Sequence, residues 1–495
     1  MNFIDHIKKQ HSLNIISEEK KDLKIKALME LIKKNKKTLL DLNVQSNDVI
    51  AIVIDNGVQF VSSFFSIINS CVIAPLNPSY SETEYEFYYS DLKPKALVTD
   101  KGKEHPALII AKKKKIKILD VKENIFINYN RTAIKKKVKY KKPCLNDTAI
   151  ILHTSGTTSK PKMVALSHAN LLNSCKNISN TLKLKKIDKN IILMPSFHIH
   201  GIVASILAPL YVGSKIVTLS KFNALSFYKF LDFHKPTWFT AVPTMLQGIL
   251  DRAKNNNYII KNSKLRFIRS SSASLPVNIL KKLEQTFKVP VIESYGMTEA
   301  SHQMTSNLLP PFKRKPGSVG ISKEVKVKII DSSFKSLKNG KIGEVVIKGK
   351  NVLKGYIANK SINDKAFING WFRTGDLGYF DRDNYLYITG RIKEIINRGG
   401  EKISPKEVDD VFILHPKIAK VITFSLKHEK LGEDIAAAVV LKENLKCTTS
   451  ELKNFVKNKL APFKIPRKIF FLKNIPVGAT GKIQRIGLAK KIGIE

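Results

Sequence analysis

Residues 154–162 read TSGTTSKPK, directly after the apolar run AIIL. Small hydroxyl residues and glycine expose backbone N–H donors without bulk, and lysines add positive charge. Thr154, Ser155, Gly156, Thr157 and Thr158, with Lys160 and Lys162, can therefore wrap phosphate oxygens. The pattern is not a Walker loop, in which a glycine stands five residues before Gly-Lys-Ser/Thr. A second glycine-lysine pair, Gly481-Lys482 in VGATGK, fails the same test, because Gly478 lies only three residues before Gly481. Two further polar loops are RSSSAS, around Ser272 and Ala273, and YGMTEA, which carries Glu299.

Such loops need a scaffold that brings them together. VIAIVIDNG reads as a buried strand ending at a turn, and VQFVSSFFSIINS as a helix with apolar residues three and four apart. CVIAPLNP is a short strand closed by proline. SETEYEFYYSDLKP opens with Ser81 and Glu84 in capping-box spacing, and KALVTD is the next strand. After a lysine-rich solvated stretch at 130–147, AIILHTSGTT, IILMPSF, KIVTL, WFTAVP, LRFIRSSSAS and VPVIESYGMTEA continue the strand-to-loop rhythm, with a helix opening at Ser167. This predicts an α/β fold of helix-covered, mostly parallel sheets. Ligands then sit where loops leave the carboxyl ends of strands, as residues 154–158, 270–274 and 295–299 do. From about Lys326, short strands such as VKVKIID and GEVVIKG predict a small β-rich subdomain. In the compact tail after GRIKE, SPKEVDDVFILHP predicts a helix with Ser404 as cap, Pro405 first and Glu407 closing a capping box. A strand pair, a further helix and a last strand follow. The expected division is a large domain over 1–392 and a small mobile α+β domain over 393–495.

With 495 residues, 43 % hydrophobic and 25 % charged, the composition is that of a multidomain globular chain. The net charge of +44 is extreme, yet it comes from 74 Lys against 11 Arg, spread along the chain. Nucleic-acid sites favour arginine for bidentate contacts. The excess is read as compositional, giving only weak, salt-sensitive attraction to polyanions and no specific nucleic-acid partner. Cys71, Cys144, Cys175 and Cys447 have neither disulfide-framework nor metal-site spacing, so a reducing, cytoplasmic setting is expected. Residues 190–214 lack charge, but two prolines, two histidines and serines argue against a membrane span. The expected state is a monomer or weak homo-oligomer.

The order TSGTTSKPK, YGMTEA, WFRTGDLG, GRIKEIINRGGEKISP, PVGATGKIQR resembles the adenylate-forming superfamily of acyl-CoA synthetases, luciferases and peptide-synthetase adenylation domains, over nearly the whole chain. The resemblance implies ATP, Mg²⁺ and coenzyme A as the small molecules handled. It implies that the first loop grips departing pyrophosphate. Ser159 and Met163 stand where the pattern more often has glycine. It places Thr298 on the α-phosphate, Glu299 on Mg²⁺, Asp376 on the ribose hydroxyls and Arg391 on ribose and phosphate. Glu293, Ser294, Tyr295, Gly296 and Met297, with Ser272 and Ala273, line the nucleotide site. Lys482 bridges the substrate carboxylate and the α-phosphate. Lys393 is the hinge about which the small domain turns to present Arg398, Gly399 and Gly400 to coenzyme A.

RSSSASLP, EASHQMTSNLLPP and FHIHG closely resemble the oxalate-CoA ligase subfamily. That implies His198, Ser272 and His302 around a small dicarboxylate, with His200 structural. A second carboxylate requires donors, not an apolar wall. The alternatives are a ligase for malonate, acetate or a fatty acid, and a catalytically dead polyanion-binding relative.

Overall fold

The computed structural model describes residues 2–10, 12–128, 140–154, 161–357, 360–476 and 484–494. Ser155, Gly156, Thr157, Thr158, Ser159, Lys160 and Lys482 lie outside them, as do residues 129–139, which include the first part of the lysine-rich stretch.

Two large sheets form the body. In the first, Val49–Val53, Val72–Pro75, Ala96–Thr99, Lys117–Lys122 and Thr148–Thr154 run parallel, and Ile125–Ile127 and Lys162–Ser167 close the edges antiparallel. In the second, Lys215–Thr218, Lys189–Ile192, Trp238–Ala241, Phe267–Ser270 and Val291–Met297 are parallel neighbours in that order, and His302–Ser306 adds an antiparallel edge. The central parallel strands, such as Val49–Val53, Val72–Pro75, Ala96–Thr99 and Trp238–Ala241, are almost wholly buried and mostly apolar, as strands covered on both faces must be. The helix Val58–Ile68 is buried all round, and one hydrophobic cluster joins the two sheets. The helix Glu82–Leu92 starts at the expected capping box of Ser81 and Glu84.

A smaller sheet pairs Lys326–Ile330, Gly343–Lys348, Trp371–Phe380 and Leu386–Arg391 antiparallel, which is the expected β-rich piece. The tail folds into a fourth sheet, in which Ile418–His428 and Gly432–Leu441 form a long hairpin and Lys468–Phe471 joins in parallel. Its helix Pro405–Phe412 corrects one expectation. Ser404 makes no capping bond to that helix; its hydroxyl donates to the Thr389 carbonyl at 2.6 Å. Glu407 accordingly closes no box and pairs with Lys464 at 2.6 Å. A bond back to the preceding strand won over the local one.

Two segments depart from simple alternation. The first phosphate-type loop joins antiparallel strands, so it opens no helix. The segment His200–Leu207 is a π-helix, wider than an α-turn, and fully buried. A Cβ on Gly201 would lie 2.1 Å from the Pro195 carbonyl oxygen, so this entry admits only glycine.

Candidate active site

The parallel strands Phe267–Ser270 and Val291–Met297 end side by side, and their loops supply the centre of the site. The first loop carries Ser272, at a φ of 74°. The second passes through the 3₁₀ turn Thr298–Ala300 and reverses into His302–Ser306. At the reversal Ser301 has a φ of 49° and His302 one of 92°. Non-glycine residues adopt such values at a cost of about 1–3 kcal/mol each, and only where their surroundings fix them. Here the surroundings do. Ser174 donates to the Ser301 carbonyl at 2.5 Å, Ser301 donates to the Asn351 carbonyl, and Asn351 donates to the Ala300 and Gln303 carbonyls. A Cβ on Gly296 would lie 1.8 Å from the His302 carbonyl oxygen, so the reversal closes only over glycine.

This backbone gathers a polar cluster. His200 Nδ1 is 2.9 Å from Ser272 Oγ and its Nε2 is 2.7 Å from Thr240 Oγ1. The His200 and His302 rings stack at 4.7 Å. Beneath them lies Arg269, 0 % exposed, with Nη1 3.1 Å from His302 Nε2 and 3.2 Å from Thr240 Oγ1, and Nη2 3.2 Å from Gln303 Oε1. His198 stands two residues before His200, half-buried, its ring beside Phe197. Ala273 is exposed on the Ser272 loop. Ser272 and His302 thus come together, joined through His200.

The second group surrounds Glu299, which is 7 % exposed. Tyr356 donates its hydroxyl to Glu299 Oε1 at 2.9 Å, and the Lys162 ammonium sits 4.8 Å from the Tyr356 ring centroid. Burial pushes the Glu299 carboxyl up, while Tyr356, Lys162 and Arg391 pull it down. Burial and then the charge of Lys393 hold the Lys162 ammonium below its usual range. One buried carboxylate with a single neutral donor fits a divalent cation that takes its other ligands from phosphate oxygens and water. Thr154 and Lys162 are paired residues at the mouth of the first loop.

The third group is Asp376, buried, which accepts from the Tyr295 hydroxyl and from Arg391 Nε at 3.0 Å. Asp376 first, against burial, raises the Arg391 guanidinium. Thr298 and Met297 lie half-buried between this group and Glu299 in the chain. Ser294 and Glu293 are also bonded into the fold: the Ser294 hydroxyl donates to the Ser270 carbonyl at 3.4 Å, and Glu293 accepts from the Gly317 N–H at 3.0 Å.

In the tail, Gly399 and Gly400 form the two-residue turn of the hairpin Ile396–Arg398 and Glu401–Ile403, with φ of 57° and 98°. Positive φ at both positions is what such a tight hairpin requires. Arg398 is paired with Asp434 at 2.7 Å. Lys393 sits in the 3₁₀ turn Ile392–Glu394, and Glu394 is held by Arg485 at 3.1 Å. His415, Cys447 and Glu451 cluster far along the chain from these groups, but Lys417 occupies Glu451 at 2.7 Å.

Sequence reasoning missed Arg269, Thr240 and Tyr356, and took His200 as structural. Arg269 was readable as the one charge inside a buried strand, FIRS; nothing in the local pattern singles out Thr240 or Tyr356.

The comparisons accord with this geometry. The profile described as "AMP-binding enzyme" matches residues 8–357, and that of the "AMP-binding enzyme C-terminal domain" matches 407–482. The chain is 42 % identical over 455 residues to an oxalate–CoA ligase of Arabidopsis thaliana, covering 90 % of this chain and 88 % of that protein. It is 41 % identical over 473 residues to an oxalate–CoA ligase of Saccharomyces cerevisiae, covering 90 % and 86 %. Among solved structures, the o-succinylbenzoate coenzyme A synthetase of Bacillus subtilis, in complex with ATP and magnesium ion, superposes with a TM-score of 0.84 at 27 % identity, covering 98 % of this chain and 99 % of that one. The chain therefore belongs to the AMP-binding enzymes of the adenylate-forming superfamily, as an ATP-dependent, AMP-forming acid–CoA ligase.

Proposed function

We propose that the acid is oxalate. The observation that carries this reading is the polar cluster of Ser272, His200 and His302 at the strand ends, where an alkyl chain would need apolar walls. The activity of the two oxalate–CoA ligases above supports it.

In the reaction, one oxalate oxygen attacks the α-phosphorus of ATP, the bond to pyrophosphate breaks, and oxalyl-AMP forms. The thiol of coenzyme A then attacks the activated carbonyl and AMP leaves. Attack brings anions together, so the residues that matter answer charge as it develops. Lys162 and residues 154–158 hold the β- and γ-phosphates, Thr298 the α-phosphate, and Lys482 the attacking carboxylate. Asp376, already oriented by Tyr295 and Arg391, accepts the ribose hydroxyls. Glu299, held by Tyr356, would hold Mg²⁺; the ion would neutralise phosphate charge. Ser272, Ala273, Glu293, Ser294, Gly296 and Met297 shape the nucleotide site, and His198, Ser272 and His302 the acid site. The division into 1–392 and 393–495, with Lys393 as hinge, lets the small domain withdraw Lys482 and offer Arg398, Gly399 and Gly400 to coenzyme A.

The test is pyrophosphate release with oxalate, malonate, acetate and hexanoate, each with and without coenzyme A. Oxalate should have the highest kcat/KM by at least about tenfold, with oxalyl-CoA as the thioester product. A higher value for hexanoate or acetate would overturn the assignment while leaving the ligase class intact.

A further inference from the structure

Arg269 is the largest charged side chain fully enclosed in the fold, and its surroundings lack the usual answer to that charge. Among the described residues its hydrogen-bond partners are His302, Gln303, Thr240 and His200, none of them a carboxylate. Its Nε is buried without a hydrogen-bond partner. Burial alone pulls the guanidinium down to about 9, so it still carries its charge near neutrality. An enclosed, unpaired cation is costly unless something anionic arrives to offset it.

The direction of each bond follows from one fact: arginine donates and never accepts. His302 Nε2, 3.1 Å from Arg269 Nη1, must therefore accept. The ring is then neutral with its proton on Nδ1. Thr240 Oγ1 accepts from the same Nη1 at 3.2 Å and keeps its own hydroxyl proton, which it can give to His200 Nε2 at 2.7 Å. A proton on His200 Nε2 would also face the Arg269 N–H at 3.4 Å. His200 thus carries its proton on Nδ1 and donates to Ser272 Oγ at 2.9 Å. Ser272, having accepted there, has its own O–H to give. Two groups that could each donate or accept, Ser272 and His302, have been turned into donors, and on the proposed reading both belong to the acid site.

We propose that Arg269 is the positioning residue for the acid's second anionic group: acting through His302, Thr240 and His200, it sets Ser272 and His302 as donors and supplies the uncompensated positive charge that the anion offsets. This deepens the oxalate reading and rests on it for the identity of the anion, but the proton order stands on the geometry alone.

The experiment therefore has two arms. The first is ¹⁵N spectroscopy of the full chain labelled at histidine, with His200→Gln and His302→Gln for assignment. At pH near 7 both rings should show the neutral Nδ1–H form in the wild type, and lose it in Arg269→Met. An Nε2–H form or an imidazolium at His302 in the wild type would overturn the proposal, whatever the substrate proves to be. The second arm is kcat/KM for oxalate and for the best monocarboxylic acid of the panel. Arg269→Met should lower the first on the order of 10²-fold and the second by about threefold or less. Arg269→Lys, which keeps the charge but loses the fork, should recover only about a tenth of the wild-type oxalate value. Thr240→Val, close to isosteric, should cost oxalate about tenfold with little change in melting temperature, and it serves if Arg269→Met does not fold. Equal losses for both acids in Arg269→Met and Thr240→Val would show a purely structural role and sink the proposal. Failure of oxalate itself in the panel would be visible in the wild type, before any variant is made.

Discussion

Glu293 shows how a residue in a nucleotide-binding motif can also bear on the stability of the fold. Its carboxyl is buried beside the Gly317 N–H, and burial first of all pushes it up to about 8, with that N–H and the charge of Lys406 acting the other way. A carboxyl whose folded value lies above its ordinary 4.5 binds its proton more tightly folded than unfolded. The stability it carries is then fully present below pH about 4.5 and is lost as pH rises through about 8. Relative to Glu293→Gln, the wild type should lose about 2–4 kcal/mol across that window. Urea unfolding of both proteins at several pH values measures it, and parallel curves would mean that the carboxyl stays ionised in the fold. Individual residues were unevenly legible from sequence. Glu299, Asp376 and Arg391 stand in motifs with a fixed spacing. Thr240 matters only because the Trp238–Ala241 strand is the neighbour of Phe267–Ser270, a fact of sheet order that no local pattern carries.

At the scale of elements, the reversal from Val291–Met297 into His302–Ser306 decides where Thr298, Glu299 and His302 stand. Its tightest point is Gly296, where an added Cβ would meet main-chain atoms that cannot swing aside. Gly296→Ala should therefore cost more than about 3 kcal/mol of stability, and any folded fraction should have lost adenylation with all acids alike. Calorimetry and pyrophosphate release check both, and a cost under about 1 kcal/mol would show that the strands separate freely. Strands and helices were largely readable, because buried parallel strands are apolar runs and Ser81 and Ser167 are genuine caps. Ser404 was not. Its sequence offers a capping box, but the Thr389 carbonyl lies within reach and takes the hydroxyl. The antiparallel strand Lys162–Ser167 was also hidden, since a loop that opens a helix and a loop that turns a hairpin look alike in one dimension.

For the molecule as a whole, the proposed two-conformation scheme would make Lys482 serve one half-reaction only. Lys482→Ala should lower acyl-AMP formation on the order of 10²–10³-fold, yet leave thioester formation from supplied acyl-AMP nearly unchanged. Equal loss in both steps would remove the case for a turning domain. The layout of sheets was legible from strand order and spacing, whereas the manner in which the tail meets the body was not. There the links are single long-range bonds, such as that of the Ser404 hydroxyl to the Thr389 carbonyl, that no sequence periodicity announces. No described helix is long and apolar enough to cross a membrane, in keeping with the prolines and histidines of residues 190–214.

The π-helical segment that begins at His200 has one more consequence, which concerns chain length. A π-turn holds a surplus residue relative to an α-turn. Losing one codon between positions 202 and 206 would let ordinary i→i+4 bonds close and rotate everything before them by about 100° around the axis. His200 would then no longer reach Thr240 and Ser272 together. On the proposed reading, recognition of the acid thus depends on the phasing of a helix as much as on the identity of any side chain. Insertions and deletions in these few codons should alter substrate choice in ways that a substitution series, however complete, would never sample.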